Sequence, residues 1–454
     1  MTRPGMLSQI DLERMVGSGE IDTVVVAFAD MQGRLVGKRV AAEHFLDDVA
    51  VHGVECCSYL LAVDVEMNTV PGYAIADWGT GYADLVLTPD FSTLRRIPWL
   101  PGTAQVLADA HWPNGTPVTV APRQILATQI AALAQRQLIA YAATELEFLV
   151  FGDSYRTAWA EGYRDLTPET DYNSDYGLVA GSRMEPLLRD IRLGMTGAGM
   201  HCEAVKGECH NGQQEITFRY DEAMVTCDNH SVYKSGAKEI AAQHGKSLTF
   251  MAKFDEREGN SCHVHLSLRS EHGAAVFADP AAPHGMSDAF RSFLAGVLDT
   301  LAELTLCYAP NVNSYKRFAG GSFAPTAIGW GLDNRTCALR VVGTGGSLRV
   351  ECRVPGGDAN AYLAVAALIA GGLHGLDNEL ALPEAVAGDA YHAGLPRLPS
   401  TLAEAADKFA RSTVARKAFG DEVVEHYLHA ARVELEAFNA AVTDWERVRG
   451  FERF

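Results

Sequence analysis

The chain is defined first by what it lacks. No apolar run approaches the roughly 20 residues a membrane span requires, and Ala361 to Leu373 falls short of it. The segment from Met1 to Val16 is polar and reads as a short amphipathic helix, not a secretory leader. Nine cysteines are scattered along 454 residues, at positions 56, 57, 202, 209, 227, 262, 307, 337 and 352. None stands in C-x-x-C spacing, which argues against a zinc site or a disulfide framework and for reduced thiols. The expected compartment is therefore the cytoplasm. Positive charge is also scarce, with 38 Lys and Arg against 57 Asp and Glu and a formal charge of −19. Nucleic acid and anionic membranes are excluded as partners, whereas a cationic substrate would be drawn in, unless the acidity serves solubility alone. There is no internal repeat, no low-complexity segment and no Walker phosphate loop. Gly33-Arg34-Leu35-Val36-Gly37-Lys38-Arg39 has the wrong spacing for one and falls in a predicted hairpin strand.

What is present suggests two domains, since the chain is too long for one small core. Residues 22–40 read as a hairpin around the turn Asp30-Met31-Gln32-Gly33. Short strands and turns continue until Pro122, which opens a helix over Arg123 to Gln137. A boundary near residue 115 gives an N-terminal domain over 1–115 and a second over 116–454. In the second, helices are predicted over Met184–Gly199, Asp221–His244, Gly285–Tyr308, Ala359–Leu376 and Asp421–Arg447. Strands and helices mix without a regular βαβ series, so the class is α+β and not a doubly wound sheet. Gly/Pro-rich stretches at 319–325, 343–347 and 355–358 read as loops.

Four strand-like stretches carry the chemistry: Thr144 to Phe148, Glu215 to Arg219, Ser261 to Leu266 and Arg349 to Arg353. Alternation puts Glu145 and Glu147 on one face, as it does His263 and His265, and Arg349, Glu351 and Arg353. Leu146, Phe148, Ile216, Phe218, Val264, Leu266, Val350 and Cys352 point the other way, into a core. Glu145, Glu147, Glu208, Glu215 and Glu351, gathered with His263, would repel one another unless cations neutralised them. An oxygen-rich set with one imidazole suits Mg2+ or Mn2+ better than Zn2+. Arginines 317, 335, 340, 349 and 353 stay charged and can clamp phosphate or carboxylate. Divalent ions with arginines are what phosphoryl transfer from ATP needs. Each piece alone reads as a solvated strand face; their joint occurrence carries the weight.

Over nearly its whole length the chain resembles the type I glutamine synthetase family. The matching motifs are Glu145-x-Glu147-Phe148, Glu208 followed by Gly212-Gln213-Gln214-Glu215, His263-Val264-His265, Asn313 to Arg317, Asn334-Arg335 with Arg340, and Arg349-x-Glu351-x-Arg353. The resemblance implies an N-terminal β-grasp domain and a catalytic domain with a curved antiparallel sheet. It also implies a homo-oligomer, a dodecamer of two hexameric rings with active sites shared between neighbouring subunits. Glu147, Glu208 and Glu215 then correspond to ligands of the metal nearer the acceptor. Glu145, His263 and Glu351 correspond to ligands of the metal among the ATP phosphates, so two or more Mg2+ or Mn2+ are implied per site. Arg317 and Arg353 correspond to contacts for L-glutamate, Arg335, Arg340 and Arg353 to phosphate contacts, and Tyr220 and Ser267 to positions beside ribose and adenine. Catalytic roles fall to Arg340, Glu208 and Arg353.

The departures shift the expected acceptor. Where glutamine synthetases place an ammonium-binding Glu before Ala-Pro, this chain has Phe323, in Gly320 to Pro325. Their N-terminal Asp-Gly-Ser-Ser loop is missing, the nearest counterpart being Glu55 to Leu60. A phenyl ring removes both the attraction for NH4+ and a group able to take its proton, and offers apolar surface to a carbon chain. The loop Glu258 to Cys262 also departs from the family's Asn-Gly-Ser-Gly-Met, and Tyr391 does not sit in the context of a regulatory adenylylation site. The pattern resembles the actinobacterial enzymes that join glutamate to organic amines, the γ-glutamylpolyamine synthetases in particular. The expectation is an ATP-dependent glutamate–amine ligase acting on putrescine, cadaverine or spermidine, in amine detoxification and nitrogen use. Ethanolamine or another monoamine is the alternative acceptor, with ammonium as a rival and a non-catalytic regulator as a further one. The amine must lose a proton, for which Glu208, Glu55 and Asp64 are the candidates.

Overall fold

The computed structural model describes residues 3–454 and builds two sheets. The predicted N-terminal helix appears over Gln9–Gly17, while Met1 and Thr2 lie outside the described residues. The first sheet holds β1 (Thr23–Ala29), β2 (Leu35–Ala41), β3 (Val54–Cys57), β4 (Asp84–Arg96) and β5 (Thr103–His111), in the order β2-β1-β5-β4-β3. β1 and β5 run parallel and the other neighbours antiparallel. The hairpin closes as its turn residues require: the Asp30 N–H donates to the Arg34 carbonyl at 2.9 Å and Gly33 takes a φ of 76°.

The second sheet comprises β6 (Leu138–Phe151), β7 (Cys202–Gly207), β8 (Gln213–Phe218), β9 (Asp221–Glu222), β10 (Ser247–Thr249), β11 (Cys262–Ser270), β12 (Trp330–Leu332), β13 (Leu339–Val342) and β14 (Arg349–Cys352). Its main path runs β12-β13-β14-β11-β6-β8-β7, with β9 and β10 also pairing to β6. Only β12 and β13 are parallel, so this is an antiparallel sheet with helices against it, the α+β class expected. Leu146, Phe148 and Ile216 are buried with Met184, Ile191, Val232 and Tyr233 from the helices Leu178–Gly197 and Ala223–Gln243. Val264, Leu266, Val350 and Cys352 join a larger core with Phe290, Phe293 and the helix Ala361–Asp377. The opposite face of these strands is thereby left open for the site.

Two predicted helices are broken. The expected Gly285–Tyr308 becomes Asp288–Thr300 and Thr305–Tyr308. Thr300 and Thr305 donate their hydroxyls to the carbonyls four residues back, Gly296 and Leu301, both at 2.8 Å, a bonding mode that bends helices. The expected Asp421–Arg447 splits into Asp421–Ala440 and Asp444–Gly450, because Thr443 and Glu446 form a reciprocal cap that starts a new helix. Among the described residues no helix is long and apolar enough to cross a membrane.

A charge cluster ties the first sheet to the helices packed on the second. Arg123 donates to Asp90 of β4 and Asp109 of β5, each at 2.6 Å, and through Nε to Asp228 of the helix Ala223–Gln243 at 3.0 Å. Tyr362 adds its hydroxyl to Asp228 at 2.8 Å.

Candidate active site

Strand register alone assembles the polar face. β6 lies beside β11 with Glu145 opposite His263, and beside β8 with Glu147 opposite Glu215. β14 places Glu351 opposite both His265 of β11 and Arg340 of β13. β7 sets Lys206 opposite Glu215. Side chains directly opposite in an antiparallel pair stand close together, so one row of chemistry crosses six adjacent strands.

Two groups of ligating atoms form on this row. Oxygens of Glu147, Glu208 and Glu215 lie within 4.8 Å of one another. Glu147 is aimed by the Ser261 N–H at 2.7 Å and by Gln213 Nε2 at 3.1 Å. Burial pushes all three carboxyls above their ordinary range; Glu208 adds to this at Glu147, and Glu145, Glu147 and Glu208 add to it at Glu215. This is negative charge short of cations. The second group joins Glu145, His265 and Glu351, also within 4.8 Å. His263 belongs beside it, with Nδ1 3.3 Å from Glu145 and 3.5 Å from Glu351.

The two imidazoles differ in what they have to spare. His265 Nε2 meets Glu145 at 2.8 Å while its Nδ1 accepts from Arg349 Nε at 3.1 Å, so both nitrogens are engaged. His263 Nε2 is buried without a partner, and burial beside Arg353 lowers this histidine to about 4, leaving it neutral with a lone pair to give. Glu351 is fully buried; desolvation would raise it, but His263, Arg353 and His265 hold it below the usual carboxylate range. Hydrogen bonds from His263 and His265 likewise hold Glu145 down against its burial. The chemistry of both donor sets therefore fits divalent cations with a preference for oxygen. Metal must displace protons from the raised carboxyls of the first set, so Mn2+ affinity is expected to fall about tenfold or more between pH 8 and pH 6. Calorimetric titration would check this, and an affinity flat with pH would contradict it.

Two cavities meet at Glu145. One, of about 330 Å3, is lined by Glu147, Glu208, Glu215, His263, Phe323, Arg335, Arg340 and Arg353 among others. The other, of about 340 Å3, is lined by His265, Ser267, Tyr220, Tyr141 and Arg349 among others. Arg340 donates to Glu351 at 2.7 Å, and Arg353 is ion-paired to the same carboxylate, so arginines border the second ligand group. Phe323 holds a φ of 58° and leaves 58% of itself exposed at the first cavity. Its loop is pinned at two successive carbonyls, Phe323 by Arg353 at 3.3 Å and Ala324 by the Tyr391 hydroxyl at 3.0 Å.

The model of the catalytic domain of glutamine synthetase matches residues 119–449. The chain belongs to the glutamine synthetase family. It is 60% identical to GlnA4 of Streptomyces coelicolor, a gamma-glutamylethanolamide synthetase, across 98% of this chain and 95% of that protein. It is 39% identical to a glutamate–isopropylamine ligase of a Pseudomonas species, across 94% of this chain and 95% of the other. Among solved structures, GmaS in complex with ADP superimposes with a TM-score of 0.86 at 28% identity, covering 97% of this chain and 99% of that one. The chain is an ATP-dependent carbon–nitrogen ligase of this family with glutamate–amine ligases among its near relatives, and the family's use of ATP and divalent metal matches the two donor sets.

Within this glutamine synthetase relative, the six carboxylate and histidine positions read from the sequence come together, as do Arg335, Arg340, Arg353 and Phe323 at one cavity and Tyr220 and Ser267 at the other. Arg317 does not reach either wall. It is 2% exposed, and its guanidinium donates to the carbonyls of Arg353 and Pro355, at 3.1 and 3.0 Å, and to Ser261 at 3.3 Å. These bonds hold the chain just past β14, where Arg353 lies. Glu55 sits on β3 and Asp64 lines a separate apolar cavity with Tyr73 and Glu434, so neither stands at the carboxylate row. His265, Gln213, Lys206, Asp175 and Tyr176 were not assigned roles from sequence, though His265 and Gln213 lie inside the quoted motifs.

Proposed function

We propose that this ligase joins the γ-carboxylate of L-glutamate to a short organic monoamine, with ethanolamine as the acceptor, in amine utilisation. The observation that carries the choice is the 60% identity to a protein named gamma-glutamylethanolamide synthetase. The relative named for isopropylamine supports the same class, a small amine with one cationic end. The polyamine acceptor expected from sequence gives way to its ethanolamine alternative.

In this reading ATP transfers its γ-phosphoryl to the glutamate carboxylate, and ADP leaves. The ammonium first gives one proton to the protein, the freed nitrogen then attacks the acyl carbon, and phosphate departs with the second proton. Glu147, Glu208 and Glu215 would hold the metal nearer the acceptor, and Glu145, His263 and Glu351 the one at the phosphates. Bound there, the ions neutralise phosphate and carboxylate oxygens. Tyr220 and Ser267 hold the nucleoside in the adjoining cavity. Arg335, Arg340 and Arg353 face the transferred phosphoryl, with Glu351 fixing the latter two, and Arg353 is left as the glutamate contact, propped by Arg317. Glu208, on the acceptor side of the cavity, accepts the proton of an amine whose own pKa is about 10. Phe323 forms the apolar wall along the acceptor's carbon chain.

The same reading includes assembly with other copies of the chain, ultimately the dodecamer of the family. It is supported by the last segment, where Val442, Trp445, Val448 and Phe451 recur every three residues and are at least 63% exposed. Phe323→Glu tests the acceptor pocket: ammonium-dependent kcat/KM should rise about tenfold or more and ethanolamine-dependent kcat/KM fall by as much. No gain with ammonium would remove Phe323 from the account.

A further inference from the structure

One cation faces the acidic side of the acceptor cavity without belonging to the arginine group. Lys206, on β7 opposite Glu215, is 26% exposed at its side chain and reaches into the cavity that Phe323 lines. Its ammonium is ion-paired with Glu208, lies 3.6 Å from Asp175, and stands 4.3 Å from the centre of the Tyr176 ring. Asp175 and Tyr176 are outside the carboxylate row, so two of the three contacts hold the ammonium at the wall whatever the row binds.

We propose that Lys206 determines acceptor specificity: its fixed ammonium rejects amines with a second cationic end and donates a hydrogen bond to a far-end hydroxyl. The proposal rests on the amine-ligase reading and deepens it. An ammonium has three N–H donors and no acceptor. Glu208 takes one, Asp175 stands at ion-pair distance without a hydrogen bond, and donors are left for an oxygen. The hydroxyl of an amino alcohol can accept such a bond. A second ammonium cannot, because it too has only donors, and it meets like charge within a few ångströms in a pocket whose walls lower the dielectric. An alkyl end offers neither attraction nor repulsion, and ranks between them. A built-in repulsive group is one of the two ways in which related substrates are separated. Lys206 makes no bond to reacting atoms in this account.

Binding of ethanolamine, propylamine and 1,3-diaminopropane would be measured by calorimetry on the enzyme holding Mg2+, glutamate and a non-hydrolysable ATP analogue. Wild type should bind them in that order, with the diamine about tenfold or more weaker than ethanolamine. Lys206→Met should erase the gap, and Lys206→Arg, which keeps the charge, should preserve the order. A gap unchanged in Lys206→Met overturns the proposal, as does a wild type that binds the diamine as well as ethanolamine. Equal weakening of all three amines, with the analogue's own affinity also lost, would mark Lys206 as merely structural. The readout needs no turnover. Failure to find a γ-glutamylethanolamide product would therefore remove the acceptor assignment while leaving the binding order to judge Lys206, and a product with no gap would do the reverse.

Discussion

Replacing Glu215 by glutamine is expected to lower kcat/KM by about a thousandfold while leaving the melting temperature of the metal-free protein unchanged or higher. The two effects have one cause. Glu215 is buried beside Glu145, Glu147 and Glu208, and its carboxyl is raised well above the ordinary range. An acid whose pKa is raised on folding binds more protons folded than unfolded. Its contribution to stability therefore falls as pH rises from about 4.3, the unfolded value, towards the folded one. At neutral pH the cluster costs stability unless cations fill it, and an amide removes that cost. The same change removes one of three oxygens from the acceptor-side donor set. Thermal melts with and without Mn2+, beside steady-state rates, would check both halves. An active variant, or one that melts well below wild type without metal, would contradict the assignment of this cluster as a cation site.

The largest effect on folding is expected away from the site. Arg123→Met should destabilise the protein by about 3–5 kcal/mol, because it strands the carboxylates that the guanidinium neutralises. Asp228 is almost fully buried and keeps only the Tyr362 hydroxyl, while Asp90 and Asp109 lose a partner they share across β4 and β5. Since the cluster bridges the first sheet to the helix Ala223–Gln243, denaturant unfolding should also lose cooperativity between the two sheets. A loss under about 1 kcal/mol would show that water already shares these charges.

The sequence made the composition of the site readable and left its geometry hidden. Glu145 and Glu147 could be placed on one face, and Leu146 and Phe148 in the core, because alternation along a strand is local. That Glu145 stands opposite His263, and Glu351 opposite His265, depends on pairing between strands more than a hundred residues apart in the first case and more than eighty in the second. Asn313 to Arg317 is present as written, yet burial turns this arginine onto the carbonyls of residues 353 and 355, and nothing local in sequence reports burial. Lys206 was missed for a related reason. It lies two residues before Glu208 and so shares its side of the strand, but its role emerges only when Asp175 and Tyr176 arrive from a distant loop. Helix positions were legible from periodicity, whereas the breaks at Thr300–Thr305 and Thr443 turned on single hydroxyls and caps.

The central claim concerns the acceptor, and the most direct measurement is product analysis. Purified protein would be incubated with ATP, Mg2+ and L-glutamate, adding ethanolamine, putrescine or ammonium in turn, with phosphate release and product mass recorded together. Phosphate release with ethanolamine, matched by the mass of γ-glutamylethanolamide and exceeding that with the other two, is the predicted result. Release and glutamine formation with ammonium alone, or a γ-glutamyl product from putrescine alone, would contradict the account.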